Sequence, residues 1–172
     1  FRIPLGWVVI AIFLCLSSVF FVQRTLIPGS PAELRDFFGI WWGLLLFVSP
    51  AISMRLVSEE LRSGTIESML TAPAGEWTIV IGKYIAAVGF LIAMLIPTLA
   101  FVGILAWLST PDFGAIASGY LGLILLGMLY LAVGTLASCL TNNQTLAFLG
   151  TLFGLFLIDL APTRLAAQAP QQ

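Results

Sequence analysis

The chain has 172 residues, of which 60% are hydrophobic and 9% charged, with a formal net charge of -1 and a mean hydropathy of +1.08. Soluble domains carry about a quarter charged residues, so this composition cannot build a water-facing shell, and lipid is the solvent that suits it. The seven basic residues are scattered, which excludes a nucleic-acid-binding patch, and the absence of histidine excludes His-dependent triads and HExxH zinc sites.

A helix needs about 20 apolar residues to cross a bilayer, and five runs meet or approach that length. The first covers 4–22 and ends at Gln23-Arg24, before the turn-forming Pro28-Gly29-Ser30-Pro31. The chain starts at Phe1 rather than Met, so its natural N-terminus is expected to be missing. The first run reads as a span rather than a cleaved leader because further spans follow. Cys15 within it, and Cys139 further on, lie in apolar runs and read as small hydrophobes rather than disulfide partners.

The second run, 37–57, carries Trp41 and Trp42 near one end, as an interfacial aromatic belt would. Ser58 to Glu76 then holds the densest charge in the molecule and is the longest extramembrane candidate. The third run, 77–107, is long enough to tilt, and Pro97 is expected to kink it. A compact turn at 109–114 leads to the fourth run, 115–140, and Thr141-Asn142-Asn143-Gln144 separates that from a shorter fifth, 145–160. The tail, 161–172, is more polar.

Long apolar runs joined by short polar turns, without the alternation of barrel strands, describe an all-α polytopic transmembrane helical bundle. Gly39 with Gly43, and Gly150 with Gly154, are GxxxG pairs suited to close helix packing, within the chain or across a dimer seam. With five alternating spans the basic residues divide four against three, which sets no orientation. Asp159 is an acid inside or at the edge of the fifth run; it marks a substrate path or, with Ala161-Pro162 following, an interfacial cap.

Gly64 interrupts and Pro73 ends the polar segment between the second and third runs. A short helix between them places Ile66, Met69 and Leu70 on one face, with Glu67, Ser68 and Thr71 turned away. No Lys or Arg lies between Gly64 and Pro73, which disfavours a helix resting on anionic lipid and favours a groove on a partner protein. Lys83, near the start of the third run, either snorkels to the interface or pairs with Glu59, Glu60 or Glu76 to fix the loop.

Ser58-Glu59-Glu60, Gly64-Thr65-Ile66-Glu67, Leu70-Thr71-Ala72-Pro73 and Gly82-Lys83 together resemble the pattern of ABC-2 type permeases, and most nearly their gliding-motility-associated branch. The similarity continues through Pro111-Asp112-Phe113-Gly114, Gly119-Tyr120-Leu121-Gly122, Tyr130-Leu131-Ala132-Val133-Gly134 and Leu140-Thr141-Asn142-Asn143-Gln144.

The resemblance implies a multi-pass subunit of the inner (cytoplasmic) membrane, with six spans where five are visible, the sixth expected beyond Gln172. It implies pairing with a second permease subunit, identical or not, and with a cytoplasmic ABC ATPase. ATP and magnesium bind in that ATPase, so this chain holds no cofactor and is no enzyme. Residues 64–73 become a coupling helix docked on the ATPase through Ile66, Met69 and Leu70, with Thr65 and Glu67 beside them and Glu59 and Glu60 stiffening the lever. Lys83, Asn143 and Gln144 are expected at the same cytoplasmic interface.

The chain has no GxxxxGK[ST] phosphate loop, so energy must come from outside it. A membrane enzyme would need clustered acids or histidines, which Glu59 and Glu60 alone do not supply. A structural or anchoring subunit of an envelope or motility complex would use the same spans and stays open as the alternative.

Overall fold

In hydrocarbon an apolar run can satisfy its backbone N–H and C=O groups only internally, and helices are what these runs form. The computed structural model describes residues 3–25, 35–63, 76–108 and 111–168. The elements are α1 (Ile3–Thr25), α2 (Arg35–Ser53), α3 (Ser58–Ser63), α4 (Glu76–Leu95), a 3-10 turn (Ile96–Thr98), α5 (Leu99–Leu108), α6 (Phe113–Cys139) and α7 (Gln144–Gln168). No strand occurs among the described residues, and the protein is an all-α membrane bundle.

Three apolar windows are long enough to cross a membrane, Gly6–Gln23, Trp77–Leu108 and Phe113–Cys139, and Phe37–Ser53 and Gln144–Leu160 are shorter apolar helices. The core is apolar, but several small polar side chains share it and many large apolar ones face outward. Ser17, Ser49, Thr98, Ser138 and Thr151 are fully buried, whereas Trp7, Ile85, Leu125 and Phe153 are each more than half exposed. Polar side chains turned inward and apolar ones outward is what a lipid solvent selects.

Two boundaries differ from the sequence reading. The second helix ends at Ser53 rather than running to Val57: Met54 N–H makes the last i→i−4 bond, to Pro50 O at 2.9 Å, and the chain then tightens into a turn in which Leu56 N–H donates to Ser53 O, three residues back, at 3.1 Å. The last helix continues to Gln168, past the end of the apolar run. Pro97 does interrupt the third run, as the first-turn residue of the 3-10 segment. A proline has no N–H to give the helix ladder, and the tighter turn accommodates the loss.

Two compact units make up the chain, one of Phe1–Leu44 with Gly89–Leu126 and one of Leu45–Val88 with Gly127–Gln172. The first has an aromatic core. Phe37 lies 4.9 Å from Trp41 and 5.8 Å from both Phe21 and Phe101 by ring centroid, and Phe13 meets Trp41 edge-on at 4.8 Å. Trp41 is therefore a core residue with no exposed surface, not part of an interfacial belt; its neighbour Trp42 is the one turned outward.

Thr98 donates to Leu95 O at 2.5 Å, so its oxygen is left to accept from the Tyr120 hydroxyl at 3.0 Å. That bond ties the 3-10 segment to α6. Gly119 has no room for a side chain, since a Cβ there would come within 2.6 Å of the Phe38 ring. Asp112 caps α6, its Oδ1 accepting from Gly114 N–H at 2.9 Å and Ala115 N–H at 3.4 Å.

The second unit is closed by small residues. A Cβ on Gly134 of α6 would stand 2.5 Å from Ser53 Cβ of α2 and 3.2 Å from Thr151 Cγ2 of α7, so three helices converge on one missing methyl group. The GxxxG glycines do not play this part within the chain. Gly39, Gly43 and Gly150 have no neighbour within 4 Å of a built Cβ, and Gly154 has only Val133 Cγ1 at 3.6 Å. Close approach is decided by what faces a glycine, which its spacing along the helix does not reveal.

Candidate functional site

The 64–73 segment, with Gly64, Thr65, Ile66, Glu67, Met69, Leu70 and Pro73, lies outside the described residues, as does the side chain of Glu59. What leads into that segment is described, and it is tightly tied. The α2 helix stops at Ser53, residues 54–57 turn, and α3 starts at Ser58.

A helix start leaves N–H groups without intrahelical partners, and Val57, just before α3, has no side-chain oxygen to cap them. Ser138 supplies it from the last turn of α6. Its Oγ accepts from Val57 N–H at 3.1 Å and Ser58 N–H at 3.0 Å, and it donates to Met54 O at 3.4 Å. Ser58 Oγ also donates to Met54 O. Ser138 and Ser58 are both fully buried, so these are bonds that water does not readily replace.

Lys83, on α4, fixes the same turn from another side. Its Nζ donates to Leu56 O at 2.5 Å and is ion-paired with Glu60 of α3, the two side chains being 18% and 25% exposed. Of the two readings open to Lys83, the pair with Glu60 is the one adopted. The ammonium neutralises one acid of the charged interval and occupies one carbonyl of the turn. Tyr84, the next residue, donates from its hydroxyl to Met128 O at 3.0 Å and so joins α4 to α6.

The chemistry of this joint is mechanical. It has no nucleophile and base in contact, and no group of three or more His, Cys, Asp or Glu that could hold a metal occurs among the described residues. It makes a node: the turn is bonded to α4 through Lys83 and to α6 through Ser138. The α3 helix also packs against α7.

Asn143 and Gln144 take structural places at the α6–α7 turn. Asn143 caps α7, its Oδ1 accepting from Thr145 N–H at 3.0 Å while its own N–H donates to Thr141 Oγ1 at 3.2 Å. Asn143 is exposed, and Gln144 is the first residue of α7.

Asp159 lies within α7, near the end of its apolar part. Both its oxygens accept from the Tyr130 hydroxyl, at 2.8 and 3.0 Å. Cys15 and Cys139 are free thiols.

Sequence reasoning missed Ser138, and it noted Tyr130 and Gly134 only within a family-like stretch, with no role for either. Ser138 acts on residues 80 and 81 positions away in the chain, and an isolated Ser near the end of an apolar run carries no signal for that.

A model of the ABC-2 family of transporter proteins matches residues 26–170. The probable multidrug ABC transporter permeases YbhR of Escherichia coli K12 and O157:H7 are each 32% identical to this chain over 95 residues. That is 55% of this chain and 25% of theirs, so the match spans about a quarter of the length of these curated relatives. No solved structure matches. The family match takes in every element from α2 to α7 and the whole of the node held by Ser138 and Lys83, and the chain belongs to the ABC-2 family of transporter proteins.

Proposed function

We propose that the protein is the membrane-spanning permease subunit of an ABC-2 type ATP-driven exporter, of the gliding-motility-associated branch, working in the inner membrane with a second permease subunit and a cytoplasmic ABC ATPase. ATP and magnesium belong to that ATPase. Residues 64–73 form the coupling helix, and Ile66, Met69 and Leu70 are its anchors in the ATPase. Glu59 and Glu60 lie on the lever that joins it to α2, and Asn143 and Gln144 flank it. The open faces at Gly39, Gly43 and Gly150 are available to the second subunit, with Gly154, which already meets Val133, beside the last.

One observation carries the reading beyond family membership: the turn that precedes the 64–73 segment is bonded to α4 and α6 through Lys83 and Ser138. A push on the segment therefore reaches several membrane helices as a rigid-body displacement. A freely hinged loop in that place would absorb the push.

The test is co-purification of the full-length protein with a candidate cassette ATPase. The comparison is with a variant carrying Ile66→Ser, Met69→Ser and Leu70→Ser. Binding by the wild type and loss in the variant is the expected result, and Gly64→Pro or Glu67→Lys is expected to leave the spans folded while separating ATP hydrolysis from transport. A well-folded wild type that binds no ATPase refutes the exporter reading in favour of an anchoring subunit.

A further inference from the structure

Trp77 and Trp107 are the two most exposed of the large apolar side chains described, at 81% and 90%. They stand at opposite ends of a single apolar window, Trp77–Leu108. An indole so exposed finds its apolar contacts, and an acceptor for its N–H, mostly outside the chain. Water supplies the acceptor but no apolar contact, and hydrocarbon supplies the contact but no acceptor. The boundary layer of a bilayer, with ester carbonyls and water above the acyl chains, supplies both.

The spacing suits that layer at each end. The window has 32 residues, and at about 1.5 Å per residue it is roughly 48 Å long. A tilt of about 20°, ordinary for a spanning helix, brings its ends to the outer faces of a bilayer about 40–45 Å thick with its headgroup layers. Trp77 also shares its face of α4 with Ile81 and Ile85, which are 51% and 62% exposed. The indole therefore continues an outward apolar stripe, whereas Lys83 is only 18% exposed.

This placement fixes a level for the node. Lys83 lies six residues further along α4 than Trp77, or roughly 9 Å. The hydrocarbon core is about 30 Å of the whole thickness, which leaves about 5–7 Å for each headgroup layer. A bilayer whose outer face is at Trp77 thus has its hydrocarbon edge near Lys83. The ammonium and Glu60 meet there, and Leu56 O takes its bond from Lys83 where competing water is scarce.

We propose that Trp77 and Trp107 are membrane-interface anchors, seated in the ester-carbonyl layer at the two ends of the third apolar run, and that the joint held by Lys83 lies on the hydrocarbon side of Trp77. Both placements go beyond the permease reading, and they hold for an exporter and an anchoring subunit alike.

The experiment is tryptophan fluorescence of the full-length protein in nanodiscs of phosphatidylcholine brominated near either the ester end or the methyl end of the acyl chain. Aqueous iodide is the third quencher. The difference between the wild type and Trp77→Phe or Trp107→Phe isolates each indole. Each difference is expected to be quenched roughly twofold or more better by bromine near the ester end than by bromine near the methyl end. Ile81→Trp and Ile85→Trp, each combined with Trp77→Phe, read the depth on either side of Lys83. Quenching by methyl-end bromine is expected to rise from 77 to 81 to 85, and quenching by iodide to fall. All four positions are more than half exposed, so the variants leave the core as it is.

Quenching of Trp77 or Trp107 by iodide and by neither lipid overturns the assignment and leaves that indole to a protein partner in water. Quenching best from the methyl end overturns it by sinking the indole into hydrocarbon. An Ile85→Trp reporter open to iodide and closed to bromine puts the joint in water and overturns its placement. None of these readings involves an ATPase, so their failure and the failure of ATPase co-purification are separate results.

Discussion

Replacing Ser138 with Ala removes one oxygen and leaves two buried donors, Val57 N–H and Ser58 N–H, which it accepts at 3.1 and 3.0 Å. An unsatisfied buried donor costs about 1–3 kcal/mol. Two would cost up to about 6, but Arg55 beside the turn is exposed, and water entering there recovers part of the loss, so the expected penalty is about 2–4 kcal/mol. Because Ser138 binds the turn and not the body of α6, the penalty should appear as local opening. At about 1.4 kcal/mol per factor of ten, amide exchange at 57 and 58 should rise about 30-fold or more. Hydrogen exchange with mass-spectrometric readout over the peptide containing residues 54–61 measures this. Ser118→Ala is the control, since the Ser118 hydroxyl donates to Ala115 O on an exposed face. Unchanged protection of the 54–61 peptide in Ser138→Ala would mean that the turn holds itself, and the mechanical account of the node would fail with it.

Two further predictions concern packing and charge. Gly134→Ala should lower the melting temperature in detergent although Ala is the better helix former by about 1 kcal/mol, because the added methyl group meets Ser53 Cβ at 2.5 Å and overpacking costs about 1–3 kcal/mol. Gly150→Ala meets nothing within 4 Å and should be neutral or slightly stabilising; the opposite order would refute the assignment of the close contact. Lys83→Met and Glu60→Gln, measured singly and together, should show a coupling of about 1 kcal/mol, above that of a fully exposed pair but short of a fully buried one. Additive effects would show that the ion pair does not hold the node.

Much of the architecture was legible because lipid imposes it. An apolar run of adequate length in hydrocarbon has no alternative to a helix, so 77–107 and 115–140 could be read almost as they stand, and the rigid ring of Pro97 announced the interruption of the third run. The end of α2 was not legible. Leu56 and Val57 are as apolar as most of the run, and only the tighter turn closed by Leu56 N–H on Ser53 O removes them from the helix. Trp41 and Trp42 are identical in hydropathy, and which of them enters the aromatic core depends on where Phe13 and Phe37 stand.

At the node, the sequence by itself determined that a cation at Lys83 needed an interface or an acid, and it named Glu59, Glu60 and Glu76 as the acids in reach. Choosing Glu60 took the geometry of α3 against α4. Ser138, Gly134 and Tyr130 were decided by tertiary structure alone. Each acts through one atom, or one missing atom, placed against a helix remote in the chain. Solvent preference repeats along a helix and so leaves a pattern in the sequence, whereas a single contact between helices does not repeat and leaves none.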